Sequence, residues 1–227
     1  MKSRVAKVMG EEIRILIVDD HEIIRQGIRS VLDTRKNLVV CGEAVNGREA
    51  IAMTEELKPD VVIMDVGMPE LNGLEATRQI TKLVPTAQVV ILTMHESEHL
   101  MHEVLLAGAI GYVLKSDAGS VLVDAIENVC HGKPFFTSKM SPTVVKSIIE
   151  ESRGVRSAKH KNFLLTPRER ETVQLIAEGK SSKEVASILG ISTKTAETHR
   201  TNLMRKLDVH SVSEIVRYAI RNGIIDA

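Results

Sequence analysis

Five short and almost wholly apolar runs recur through the first half of the chain, each followed by a longer amphipathic stretch. The runs are IRILIV (13–18), LVVCGEA (38–44), DVVIMD (60–65), AQVVILT (87–93) and GYVLK (111–115); the stretches cover 21–33, 47–57, 73–83, 97–107 and 119–131. A strand wetted on one face alternates apolar with polar residues. VVIM and VVIL are apolar throughout, as strands covered on both faces must be. Strand–helix alternation of this kind points to an α/β fold, a doubly wound five-stranded parallel sheet with helices on both faces. With no Trp among 227 residues, its core has to be filled by Val, Ile, Leu, Met and Ala.

After Gly132 the alternation stops. Residues 133–160 read as a linker, with one short helix near 141–151 followed by a polar, basic run. From 161 to 227 the chain reads as helix with clear punctuation. TPRE (166–169) places Thr166 at an N-cap, Pro167 at the first helical position and Glu169 where a capping box wants it. SSKE (181–184) and SVSE (211–214) repeat the signature, Ser192 can cap a helix running through Leu207, and Gly179 and Gly190 end the two preceding helices. Four short helices, the second and third joined by a tight Gly-containing turn, make a helix-turn-helix module. The expected domains are therefore 11–132, the linker 133–160, and 161–227.

The formal net charge of zero hides an asymmetry. Residues 11–131 carry 10 Lys and Arg against 20 Asp and Glu, a net of −10, whereas 159–227 carry 12 against 8, a net of +4. An acidic front and a basic back suggest modules with different partners, the rear one suited to nucleic acid. Cys41 and Cys130 stand alone, with neither zinc-site nor disulfide spacing. No apolar run approaches the roughly 20 residues of a spanning helix. A cytoplasmic protein without a membrane partner is expected.

In a doubly wound sheet, ligands sit outside the carboxyl ends of the strands. There the chain places Asp19 and Asp20 after strand one, Asp65 at the end of strand three, Thr93 at strand four and Lys115 at strand five. Three converging carboxylates repel, and a hard divalent cation bound through oxygen, usually Mg²⁺, relieves the repulsion.

These residues, carried by VDDH (18–21), DVGMPELNG (65–73), LT (92–93) and GYVLK (111–115), resemble the receiver domain of two-component response regulators, a flavodoxin-like fold. The resemblance implies that Asp65 accepts a phosphoryl group from a sensor histidine kinase. It implies Mg²⁺ held by Asp20 and Asp65, with Asp19 nearby and the backbone carbonyl of Gly67 as a further ligand. Lys115 would pair with the phosphoryl oxygens, and Thr93 would swing its hydroxyl onto them while Tyr112 turns inward as a switch. Ser116 stands where many receivers have the proline of a cis peptide.

In the third helix of the rear module, Ala196, His199, Leu203 and Leu207 share one face. Lys194, Glu197, Thr198, Thr201 and Arg205 share the opposite one, with Arg200, Asn202 and Lys206 flanking it. The second face has what a recognition helix needs: cations for phosphates or guanine, Glu for cytosine amino groups, Thr for bases or thymine methyls. The stretch from LTPRERE to KLDVHS resembles the LuxR-type output domain, and with the receiver it gives the pattern of the NarL/FixJ family. That resemblance places Glu197, Thr198 and Thr201 nearest the base edges. It also implies a homodimer on an inverted repeat of promoter DNA, with RNA polymerase as a further partner. The last helix would lie at the subunit contact, its apolar stripe of Val212, Ile215, Val216, Ala219 and Ile220 in part closing the domain's own core.

The sequence thus reads as a phosphorylation-controlled transcription regulator rather than an enzyme, in which the acidic receiver restrains the basic domain until Asp65 is phosphorylated. Two rivals stand beside it. One is a regulator that acts without phosphorylation. The other is a Mg²⁺-dependent phosphatase with Asp65 as nucleophile, which would want a second acid where Gly67 stands.

Overall fold

The computed structural model describes residues 12–94, 98–137 and 165–225, so the helix expected near 141–151 lies outside the described residues. The chain divides into two compact units, the first built essentially from residues up to 156 and the second from those that follow.

In the first unit the strands are β1 (Ile13–Val18), β2 (Leu38–Ala44), β3 (Val61–Asp65), β4 (Gln88–Thr93), β5 (Gly111–Leu114) and β6 (Phe135–Phe136). They form one parallel sheet in the order β2-β1-β3-β4-β5-β6. The helices are α1 (Glu22–Leu32), α2 (Gly47–Leu57), α3 (Gly73–Leu83), α4 (Glu98–Ala107) and α5 (Ala118–Cys130). α1 and α5 pack together on one face of the sheet, with α2, α3 and α4 side by side on the other. Successive side chains of each strand alternate between the faces. Ile15, Ile17, Ile63, Leu92 and Val113 therefore meet Leu122, Ala125 and Ile126 of α5 in one core cluster. Their neighbours Leu16, Met64, Ile91 and Tyr112 are equally buried on the opposite side.

The sheet has six strands rather than the five expected. Phe135 and Phe136, the early part of the segment read as linker, pair with Gly111 and Tyr112 at the free edge of β5. Phe135 donates its N–H to the Ile110 carbonyl and Thr137 donates to the Tyr112 carbonyl. A two-residue strand has no periodicity to read. Only the exposed backbone groups of β5 decide that it forms.

Local chemistry sets the helix ends. Asn46 caps α2 by accepting from the N–H groups of Arg48 and Glu49. At α1 the N-cap position holds His21, whose side chain makes no cap bond.

The second unit holds α6 (Pro167–Ala177), α7 (Ser182–Leu189), α8 (Thr193–Leu207) and α9 (Val212–Arg221). All three capping boxes read from the sequence form reciprocally, at Thr166 with Glu169, Ser181 with Glu184 and Ser211 with Glu214. The turn between α7 and α8 passes through Gly190, whose φ of +64° is a conformation that Cβ-bearing residues rarely take. Leu175, Val185, Ala186, Leu189 and Ala196 bind α6, α7 and α8 into one small core. Val173, Ile176, Leu203, Ile215 and Ala219 close a second one beneath α9.

Candidate functional site

Strand register, more than any single residue, assembles the acidic pocket. Val18 lies opposite Met64, Asp65 opposite Leu92 and Thr93 opposite Leu114. The residues that end or follow β1, β3, β4 and β5 therefore fall along one edge of the sheet. Asp19 and Asp65 are buried there, 0% and 5% exposed, and Thr93 is buried beside them at 2%. Asp20 and His21 sit at the exposed rim.

Lys115 is the counter-charge that lets the buried acids coexist. Its Nζ lies 2.7 Å from Asp19 Oδ2 and 2.9 Å from Asp65 Oδ1. Asp65 Oδ1 also accepts the N–H of Val66 at 2.9 Å. Burial nevertheless dominates at Asp65. Desolvation, reinforced by the neighbouring Asp19 charge and opposed by Lys115, pushes its carboxyl up to about 6. At Lys115 burial disfavours the ammonium, but the hydrogen bonds and charges of Asp19 and Asp65 outweigh it, and the group is held above the usual lysine value.

Carboxylate oxygens of Asp19, Asp20 and Asp65 and a ring nitrogen of His21 all lie within 4.8 Å of one another. This oxygen-rich donor set fits a hard divalent cation. Gly67, whose carbonyl the resemblance adds to the set, follows Asp65 in the β3–α3 loop. Tyr112 is fully buried, its ring turned into the protein rather than out to solvent. No peptide bond among the described residues is cis, so the Lys115–Ser116 bond is trans.

Three supporting residues carried no signal strong enough to single them out from sequence. Arg25, one turn into α1, donates from Nη1 to the Asp19 carbonyl at 2.8 Å and from Nε to Glu43 at 3.0 Å, tying the β1–α1 turn to β2. Gly73, at the start of α3, lies so close to Asp65 that an added Cβ would come within 1.8 Å of the Asp65 carbonyl oxygen. Its N–H donates to the Val66 carbonyl. His21 fixes its own backbone by donating to Asp19 Oδ1 at 2.8 Å. The i, i+4 spacing from His21 to Arg25 and the glycine closing DVGMPELNG are the only sequence traces of these roles.

In the second unit, α8 sorts as its period implies. Ala196 and Leu203 are buried, and His199 and Leu207 are half-buried behind them. Lys194, Glu197, Thr198, Thr201, Asn202, Arg205 and Lys206 are exposed, and Arg200 is half-buried. Arg205 and Asn202 hydrogen-bond each other at 3.2 Å. Lys206 is engaged within the unit, its Nζ 2.7 Å from Glu169 Oε2, and that pair helps to hold Glu169 below the usual carboxylate range against the opposing effect of burial. The α9 stripe divides between the unit's own core and a candidate contact surface. Ile215 and Ala219 are fully buried in the unit's own core, because a four-helix module this small must spend the inner half of α9 closing itself. Val212 and Ile220, each 38% exposed, and the half-buried Val216 form the part that faces outward.

Known proteins share both units. Residues 15–127 match the response regulator receiver domain and residues 164–219 the bacterial regulatory proteins of the luxR family. The transcriptional regulatory protein MctR of Rhizobium johnstonii is 36% identical over 214 residues, covering 94% of this chain and 96% of that protein. The chain belongs to the LuxR-type response regulators. It is a two-component response regulator with a helix-turn-helix DNA-binding domain and works in transcription regulation. Two solved structures align along nearly the full length of this regulator. RcsB from Salmonella enterica serovar Typhimurium, bound to a promoter in the presence of the phosphomimetic BeF3−, matches with a TM-score of 0.57 at 26% identity, covering 96% of this chain and 100% of that one. A structure of two RcsB dimers bound to two parallel DNAs matches with a TM-score of 0.54 at 27% identity, covering 93% and 99%. Among the described residues of this regulator, no helix is long and apolar enough to cross a membrane.

Proposed function

We propose that Asp65 accepts a phosphoryl group from a sensor histidine kinase and that its phosphorylation gates promoter binding by α8. The observation that carries this reading is the joint placement of Asp65, Asp19 and Lys115 within hydrogen-bond reach at the carboxyl edge of the sheet. In the transfer, an Asp65 carboxylate oxygen attacks phosphorus, the new O–P bond forms, and the P–N bond to the kinase histidine breaks. Lys115, already seated against Asp65 Oδ1, places its positive charge where the phosphoryl oxygens arrive. Mg²⁺ held by Asp20, Asp65 and the Gly67 carbonyl, with Asp19 alongside, would supply further positive charge to those oxygens. Thr93 offers the hydroxyl donor that the phosphorylated state draws in, and the switch residue Tyr112 lies on the neighbouring strand β5, opposite Ile91 of β4.

In the output domain, Glu197, Thr198 and Thr201 would read base edges, and Lys194, Arg200, Asn202 and Arg205 would hold the backbone. Lys206 would have to leave Glu169 to join them. Dimerisation on an inverted repeat, through the outward part of α9 at Val212, Val216 and Ile220, fits the usual symmetry of such operators. RNA polymerase would be a further partner on the promoter. The regulator is a stoichiometric switch rather than a turnover enzyme, and it works in the cytoplasm.

Intact mass after incubation with Mg²⁺ and a small phosphodonor tests the first step. One added phosphoryl group is expected in the wild type and none in Asp65→Asn. If the variant labels equally, the acceptor assignment fails. Equal promoter affinity of the labelled and unlabelled protein at every salt concentration would sink the gating.

A further inference from the structure

His21 is a residue that α1 does not ask for. The N-cap position favours Ser, Thr, Asp or Asn because a short side-chain oxygen can accept the free N–H groups of the first turn. His21 occupies it without a cap bond. Its backbone is held all the same. The N–H donates to Asp19 Oδ1 at 2.8 Å, and the carbonyl accepts from Ile24 and Arg25 at 3.1 and 3.2 Å. The imidazole therefore swings from a fixed point, through two torsions only, and it swings over the acidic pocket. Nδ1 lies 2.8 Å from Asp20 Oδ1 and 3.3 Å from Asp19 Oδ1, and the side chain is 65% exposed.

These contacts are hydrogen bonds from the ring to the acids, and their lengths are also those of neighbouring donors around an ion. A six-coordinate cation with bonds of about 2.1 Å sets neighbouring donors about 3 Å apart and opposite ones about 4 Å apart. The nitrogen of His21 and the carboxylate oxygens of Asp19, Asp20 and Asp65 all fall within 4.8 Å of one another, so the widest pair has to draw in by about 0.6 Å to share one ion. An imidazole changes what such a site selects. Carboxylate and carbonyl oxygens suit Mg²⁺, whereas an imidazole nitrogen suits the later first-row transition ions. We infer that His21 is a metal ligand of this pocket, and that through it the receiver takes a first-row transition ion of the Co²⁺ class more tightly than Mg²⁺. The inference rests on the pocket being a divalent-cation site, as proposed above.

For ligation the ring presents its Nδ1 lone pair to the ion, with the proton on Nε2 facing solvent. Asp20 then shares the ion with Nδ1 in place of their direct contact. Because the ring is exposed, its removal leaves the core untouched, so the variant reports on the site and not on folding.

The experiment uses the full chain stripped with EDTA, as wild type, His21→Ala and Asp65→Asn, titrated calorimetrically with Co²⁺ and with Mg²⁺. Paramagnetically shifted imidazole CH signals of the Co²⁺-loaded protein report ligation directly. The wild type is expected to bind Co²⁺ about tenfold or more tighter than Mg²⁺. His21→Ala should lose about tenfold in Co²⁺ affinity and hold its Mg²⁺ affinity within about twofold. One set of shifted signals should vanish in His21→Ala and again in Asp65→Asn. Equal losses for both metals, or for neither, in His21→Ala would overturn the inference while leaving the pocket intact. If Asp65→Asn keeps both affinities, or if the wild type binds neither metal, the pocket itself has been misread and the inference falls with it.

Discussion

In EDTA at pH 8, Asp65→Asn removes a buried negative charge that both desolvation and the neighbouring Asp19 disfavour. With its carboxyl pushed up to about 6 from an ordinary 3.8, keeping Asp65 ionised in the fold costs about 3 kcal/mol, since each pKa unit is worth about 1.36 kcal/mol. An amide mimics the neutral acid. It can still accept from Val66 and Lys115, and Lys115 keeps its second carboxylate, Asp19, at 2.7 Å. The variant is therefore expected to be about 1–3 kcal/mol more stable. For a domain of this size that raises the receiver transition by roughly 3–15 °C.

The pH dependence separates this cause from others. A carboxyl whose folded pKa is raised holds its proton longer in the native than in the unfolded state. Wild-type stability thus falls as pH climbs from about 4 through 6, and the advantage of Asp65→Asn opens over that window and closes below it. Scanning calorimetry of the full chain, which resolves the receiver transition from that of the second unit, measures both quantities. Mg²⁺ should then raise the wild-type transition far more than that of the variant, because a ligand stabilises only the state that binds it. A variant no more stable than wild type at pH 8, or one whose advantage is the same at pH 4, would refute the electrostatic account of the pocket.

Other consequences are as direct. Gly73→Ala drives a methyl group into the Asp65 carbonyl, so it should destabilise the receiver by about 1–3 kcal/mol or more in urea melts and slow phosphoryl uptake. Gly27→Ala, where nothing lies within 4 Å of the added Cβ, should stabilise α1 by about 0.5–1 kcal/mol. Ser181→Ala removes the cap that accepts from the Glu184 N–H and should lower the stability of the second unit by about 1 kcal/mol in urea melts. Arg205→Ala should weaken binding to every promoter about equally and shallow the salt dependence by roughly one phosphate contact, whereas Thr198→Ala should shift sequence preference; fluorescence anisotropy across a salt series tells them apart.

Much of this protein lies open in its sequence, because the signals are local. The doubly apolar runs fix the strands, and the three capping boxes and Gly190 fix where α6 to α9 begin and turn. The period of α8 alone sorts Ala196 and Leu203 inward and Thr198 and Arg205 outward. Even the pocket acids are legible, because residues at the carboxyl ends of parallel strands share one edge whatever the order of the strands.

Tertiary structure decided what depends on distance across the sheet. Register set Asp19 beside Asp65 and brought Lys115 between them, and burial of that edge, not the identity of Asp65, raised its carboxyl. The β6 strand exists because β5 had unpaired backbone groups, not because Phe135 and Phe136 form a strand by themselves. α9 carries one continuous apolar stripe in the sequence, and only packing could divide it into the core side at Ile215 and Ala219 and the open side at Val212 and Ile220. The same holds for Gly73 and His21: one is set by a backbone 1.8 Å from where its side chain would be, the other by carboxylates its ring happens to overhang. Propensity and pattern belong to a few neighbouring residues, whereas close approach and desolvation belong to chain segments that meet only in the fold.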